Sequence, residues 1–311
     1  MNLPSRSRSR SAQACFEGFL RFSFGLAKKV LIANHVASVA DQVFGLEITR
    51  LPTSYAWVGL LAYTLQIYFD FSGYSDMAIG LGRMMGFSFK ENFEAPYTSW
   101  TITEFWRRWH ISLSTWLRDY LYIPLGGSRT TVAKRYRNLV VVFLVCGFWH
   151  GANWTFIAWG AYHGAWLVIE RSAAWCRFAA ILPRAVGTLL TFLLLMFGWV
   201  LFRSEHLDSA AGYFERLVRW HSLRSSNPLL SWGEVVSNRA IAFGALGLAG
   251  CWIMAWPRAE AWVAWLIGKR RGGEQRAYAE FGRFGFALGI FLLSTVSLVN
   301  AKFNPFIYFR F

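Results

Sequence analysis

NLVVVFLVCGFWHGANWTFIAWGAYHGAWLVIE, residues 138–170, is the stretch whose length decides how this chain folds. As one helix its 33 residues would reach about 50 Å, too long for a single crossing of a ~30 Å hydrocarbon core and too short for two with a loop. Two short helices meeting within the membrane fit instead, joined by a non-helical turn at Trp149-His150-Gly151-Ala152-Asn153. Irregular backbone at that depth is tolerated only where protein or water satisfies it, so the turn is expected to face a tunnel. His150 places a titratable ring there, and an ionisable group at bilayer depth marks a functional site by default.

The rest of the chain reads the same way. It is 55% hydrophobic and 18% aromatic with 17 Trp, and only 16% is charged, where soluble domains carry about a quarter charged residues. Apolar runs of near-spanning length recur at 56–71, 185–202, 240–256 and 284–299. The expected fold class is therefore all-α: a polytopic helical membrane protein with broken or re-entrant helices around a central tunnel.

The net charge of +15 does not point to nucleic acid, because Lys and Arg sit in the connections between apolar runs rather than on one soluble face. They read as topology-setting charges, with the densest connections, 129–137 and 269–283, on the cytoplasmic side. Residues 203–239 mix acids with their arginines and leave their side undecided. Four cysteines, at 15, 146, 176 and 251, have no metal or CxxC spacing and read as free thiols, and no metal site is expected. Residues 1–14, a Ser-Arg alternation, lack the h-region of a cleavable signal and read as a disordered basic tail before one membrane domain at 15–311.

Residues 16–44 suggest a broken or interfacial helix interrupted by Lys28 and Lys29, with His35 as a solvated or capping residue. In YFDFSGYSDM, residues 68–77, a helix break at Ser72-Gly73 is expected, its freed backbone groups satisfied by Asp70, Ser75 and Asp76. Six residues apart, the two carboxylates lie on different helix faces and make no obvious acid/base pair.

Thr101-Ile102-Thr103-Glu104 forms a capping-box pattern that predicts a helix running to about Ile123, before Pro124 and Gly126-Gly127. One face of it would carry Arg107, His110, Ser114 and Arg118. Two readings of the arginines stand: a site for an anionic headgroup or the phosphates of an acyl carrier, or a helix flat in the interface with its cations in water. His110 is read as functional. His163 reads as a hydrogen-bonding partner of a neighbouring helix.

The assembled motifs resemble the membrane-bound O-acyltransferase family, in its bacterial alginate O-acetyltransferase branch. They are YFDFSGYSDMAIGLG (68–82), NFEAPYTSWTITEFWRRWHISLSTWLRDYLYIPLGG (92–127), FWHGANWTFI (148–157), GWVLFRS (198–204) and NPFIYFRF (304–311). The resemblance implies that His150 matches the essential histidine of a Trp-His-Gly motif and His110 the second histidine of this branch. It also implies further membrane helices before the segment at 16–44, which this sequence lacks.

By that resemblance the activity is O-acyl transfer across the bacterial inner membrane. A cytoplasmic thioester, acetyl-CoA or another, supplies the acetyl group, no cofactor is bound, and periplasmic partner proteins pass the group to an exopolysaccharide such as alginate. Neutral His150 suits a general base that takes the hydroxyl proton. Ser112, Ser114 and Asn153 are candidates for hydrogen-bonding a reactant. No Gly-x-Ser-x-Gly elbow is present, so direct transfer is the simpler scheme. Peptidoglycan, cellulose or teichoic acid are alternative acceptors, and a proton-coupled transporter with His150 as relay is the alternative from another class.

Overall fold

The computed structural model describes residues 12–220, 232–253 and 274–299, and every regular element among them is helical. Residues 1–11 of the basic tail, 269–273 of the second basic connection, 254–256 of the apolar run at 240–256 and the motif at 304–311 lie outside the described residues. Two of the described helices, Arg184–Arg203 and Phe281–Val299, are by themselves long and apolar enough to cross a membrane.

The chain opens with α1 (Ala12–Ala27), which runs through a π-helical turn at Lys28–Ala33 into α2 (Asn34–Phe44). The interruption expected at Lys28 and Lys29 is thus a widened turn inside a continuing helix, a feature often found where function or buried charge distorts a helix. Half-buried His35 packs its ring 4.7 Å from that of Phe243 and stands second in α2, whose N-cap is Ala33, so it is not a cap.

Helix α3 (Thr53–Met84) is 32 residues and unbroken, about 48 Å long. The break expected at Ser72-Gly73 does not occur. With α3 unbroken, Asp70 and Asp76 have no freed backbone groups to satisfy, and cations from α1 and the π-helical turn meet them instead. Lys29 Nζ lies 2.5 Å from Asp70 Oδ1, and Lys28 Nζ lies 2.7 Å from Asp76 Oδ2. Arg21 Nε donates to Asp76 at 2.8 Å, and its guanidinium also pairs with Glu91. Buried charges persist in an apolar setting when paired in this way.

Glycines let α1 and α3 approach closely enough for these pairs. A Cβ on Gly80 would lie 2.6 Å from the Gly18 carbonyl oxygen, and one on Gly25 would lie 2.6 Å from that of Gly73. Close backbone approach through small residues is a common way for membrane helices to associate. Gly80→Ala is expected to destabilise the protein by about 1–3 kcal/mol through overpacking, read as a lower unfolding temperature in detergent.

The region 138–170 forms two helices, α6 (Val132–His150) and α7 (Trp154–Ile169), with the non-helical turn confined to residues 151–153. They pack as a hairpin whose contact is held open for backbone by Gly147 and Gly160, each set against the opposite chain. Between α3 and α6 lie α4 (Ile102–Arg108) and α5 (Ile111–Leu117), followed by a π turn at Arg118–Tyr122. The wholly surface-lying α8 (Ala173–Ile181) leads to α9 (Arg184–Arg203), α10 (Leu207–Val218), α11 (Trp232–Val235), α12 (Asn238–Ile253) and α13 (Glu274–Val299). One buried aromatic core joins α3, α4, α7 and α9, with Tyr63, Tyr97, Phe105, Trp159 and Trp199 among its largest members. All four cysteines are free thiols.

Candidate active site

His150 is the last residue of α6, and Gly151 caps the helix behind it. The turn is tied down by Asn153, whose side chain accepts from Thr155 N at 3.1 Å to start α7 and donates to Glu205 O at 2.8 Å. These two bonds make Asn153 the cap of α7 and fix its amide beside the turn. The half-buried His150 ring lies edge-on to Trp159 at 5.2 Å, Phe202 at 5.0 Å and Trp149 at 4.9 Å. Phe148, Trp149 and Trp154 are exposed around it.

The second histidine reaches this place through a departure from the expected helix. Thr101 Oγ1 accepts from Glu104 N at 3.0 Å, as a cap should, but Glu104 turns to Trp100 N at 2.9 Å rather than to Thr101. Glu170, at the far end of α7, completes the cap by accepting from Thr103 N at 2.8 Å and from Thr103 Oγ1 at 2.6 Å. The helix then stops after Arg108, where residues 102–123 were expected to continue. His110 adopts the left-handed conformation at φ 44, ψ 53, and α5 begins afresh at Ile111. For a residue with a Cβ that conformation costs on the order of 1–3 kcal/mol and is kept only where the surroundings over-determine it.

Asn92 supplies much of that determination. Its carbonyl accepts from Ile111 N at 3.1 Å, and its side-chain Oδ1 accepts from Ser112 N at 3.1 Å and Ser112 Oγ at 3.0 Å. The kink brings the His110 ring 4.7 Å from Phe71 and 6.3 Å from Trp149, so the Trp149 ring neighbours both histidines.

The kink also dissolves the polar stripe expected on a single helix. Arg107 is exposed on α4, before the break. Ser114 Oγ turns inward to donate to Trp109 O at 3.2 Å. Arg118 sits beyond α5 and donates to Asp119 at 2.8 Å, in an exposed pair. Of the four residues, the structure gathers His110 alone with His150.

His163 is fully buried one aromatic layer away, with its ring 5.0 Å from that of Trp159. It accepts a hydrogen bond from Trp106 Nε1 at 3.4 Å, across to α4. Gly198 makes room for it, since a Cβ there would come 2.8 Å from Nε2. No group of three or more His, Cys, Asp or Glu that could hold a metal occurs among the described residues.

Two histidines that share the Trp149 ring as a neighbour, one at a helix end and one at a kink, form the candidate active site of an all-helical protein. The sequence narrows it: the profile of the membrane-bound O-acyltransferase family matches residues 18–205, and this chain belongs to that family. It is 43% identical to the probable alginate O-acetylase AlgI of Azotobacter vinelandii over 98% of this chain and 64% of that protein. The corresponding protein of Pseudomonas aeruginosa is 54% identical over 68% of this chain and 40% of its own length. A peptidoglycan O-acetyltransferase of Helicobacter pylori is 48% identical over 65% of this chain and 38% of its own length. The chain thus spans less than two thirds of the length of each of these three relatives.

Proposed function

We propose that this protein is a multi-pass O-acetyltransferase of the bacterial inner membrane that carries acetyl groups from a cytoplasmic thioester, acetyl-CoA, to a hydroxyl acceptor on the opposite side. The acceptor pathway ends in an exopolysaccharide, alginate, with periplasmic proteins as partners. The observation that carries this reading is the placement of two histidines against one Trp149 ring, His150 at the end of α6 and His110 at a strained kink.

In the proposed reaction, His150 accepts the proton of the acceptor hydroxyl as its oxygen forms a bond to the thioester carbonyl carbon. The tetrahedral adduct collapses with cleavage of the carbon–sulfur bond, and the proton taken up by His150 passes to the leaving thiolate, which returns the ring to its neutral form. A proton-accepting ring does not have to be charged at rest, which suits burial among Trp159, Phe156 and Phe202. His110 positions the donor or acts on the thiolate side. Exposed Arg107 and Arg118, on either side of the kink, are the contacts proposed for the donor phosphates. A passage reaching the histidines from both faces of the bilayer is part of the proposal.

Membranes of the native host, carrying the full-length protein and supplied with isotope-labelled acetyl-CoA, are expected to place base-labile label on alginate. Label on peptidoglycan instead would keep acyl transfer and replace the acceptor. No labelled ester on any polysaccharide, with the protein present in the membrane, would reject the reading, and proton-driven solute uptake would favour transport.

A further inference from the structure

We infer that Asn92 and Ser112 are positioning residues that hold His110 as the tautomer protonated on Nδ1, leaving Nε2 as its proton-accepting nitrogen. The inference rests on the proposed role of His110 at the transfer site.

The hydrogen-bond directions follow from what each atom is able to do. Asn92 faces the Ser112 backbone N–H, a donor, at 3.1 Å, so the carboxamide oxygen occupies that position and the amide orientation is determined. Its nitrogen accordingly donates the other way, to Ser75 Oγ at 3.2 Å. The same oxygen faces Ser112 Oγ at 3.0 Å, and since an amide oxygen only accepts, Ser112 spends its single hydroxyl proton there. What Ser112 then turns toward His110 Nδ1, 3.3 Å away, is a lone pair. Nδ1 is therefore the donor, and the remaining ring nitrogen carries the lone pair. Which nitrogen of a histidine is basic is commonly set in this way, by the bond the other one makes.

The backbone shows that Asn92 also fixes the place of the ring. The left-handed conformation at His110 is followed directly by two backbone N–H groups that Asn92 satisfies, Ile111 N through its carbonyl and Ser112 N through its side chain. A strained backbone maintained by one polar residue, beside a titratable ring, is the pattern expected of preorganisation rather than of simple packing. Ser75, buried on α3, anchors the chain of bonds to the long helix that carries Asp70 and Asp76.

The test separates the hydroxyl from the backbone. Ser112→Ala removes the Oγ relay and keeps the Ser112 N–H bond to Asn92, whereas Ser112→Thr keeps the hydroxyl. In nitrogen-15 histidine spectra of the full-length purified protein, with the His110 signals identified by their loss in His110→Ala, the wild-type ring is expected to show protonated Nδ1 and bare Nε2. Ser112→Ala is expected to mix the tautomers and to lower acetyl-ester formation about tenfold, a part of the ~10²–10⁴ that general acid–base groups contribute. Ser112→Thr is expected to retain both properties. Added to His110→Ala, the Ser112→Ala change is expected to cost nothing more, which a purely structural serine would not satisfy.

A wild-type spectrum with Nε2 protonated and Nδ1 bare would overturn the inference, even if Ser112→Ala fails to assemble. So would full activity of Ser112→Ala alongside inactive His110→Ala. Full ester formation by His110→Ala would instead overturn the proposed role of His110, whichever tautomer the spectrum reports.

Discussion

Replacing His150 by alanine in the full-length protein is expected to abolish detectable acetyl ester on the polysaccharide while leaving the protein at its normal level in the membrane. The size of the effect follows from the proposed chemistry: removing a general base from its hydroxyl forfeits about 10²–10⁴ in rate, enough to bring ester content to background. Assembly should survive because His150 is the terminal residue of α6 and only half-buried, while the packing of α6 on α7 is carried by the close backbone approaches at Gly147, Gly160 and Gly164. The measurement is ester content normalised to membrane protein. Unchanged esters in this variant would remove His150 from the mechanism.

The second large effect is expected from the Lys29–Asp70 pair, and it falls on stability. Both side chains are almost wholly enclosed, at 9% and 2% exposure, with 2.5 Å between Nζ and Oδ1. Lys29→Met removes the cation and leaves the carboxylate in the bundle, a loss of about 3–5 kcal/mol for a broken buried pair. Replacing both, Lys29→Met with Asp70→Leu, is expected to recover much of that loss, because an apolar pair of similar volume needs no compensation. Thermal unfolding in detergent, followed by loss of the monodisperse peak, reads both. A double variant no more stable than the single one would mean that the charges stabilise through something beyond each other.

How far these residues were visible before folding differs between the two cases. His150 stood out because local sequence suffices: an apolar stretch of the wrong length for one or two spans, with a titratable residue at its centre, implies a re-entrant turn from hydropathy and helical rise. The described helix ends at His150, and α7 begins at Trp154. The role given to Asp70 and Asp76 failed for the complementary reason. Their partners, Lys29 and Lys28, lie 41 and 48 positions earlier and were legible only as interruptions of another helix. Without those partners, a helix break was the only visible way to justify buried carboxylates.

The stretch 102–123 shows the same limit at shorter range. Its spacing is helical throughout, and nothing within it announces the break at His110. The signal lies in Asn92, outside the stretch, whose amide competes for Ile111 and Ser112 and wins over helix continuation. Likewise the capping role of Glu170 depends on α7 returning to the start of α4.

By itself, the amino-acid order determined that the chain is a set of apolar helices, where most of them lie, and that one histidine sits at a turn between two short ones. Those properties depend on side chains a few residues apart along a helix of known period. The tertiary structure alone decided which charges neutralise which, where the second histidine points, and which nitrogen of it is basic. Those depend largely on hydrogen bonds and ion pairs between residues 17 to 70 positions apart, which exist only once the helices have packed.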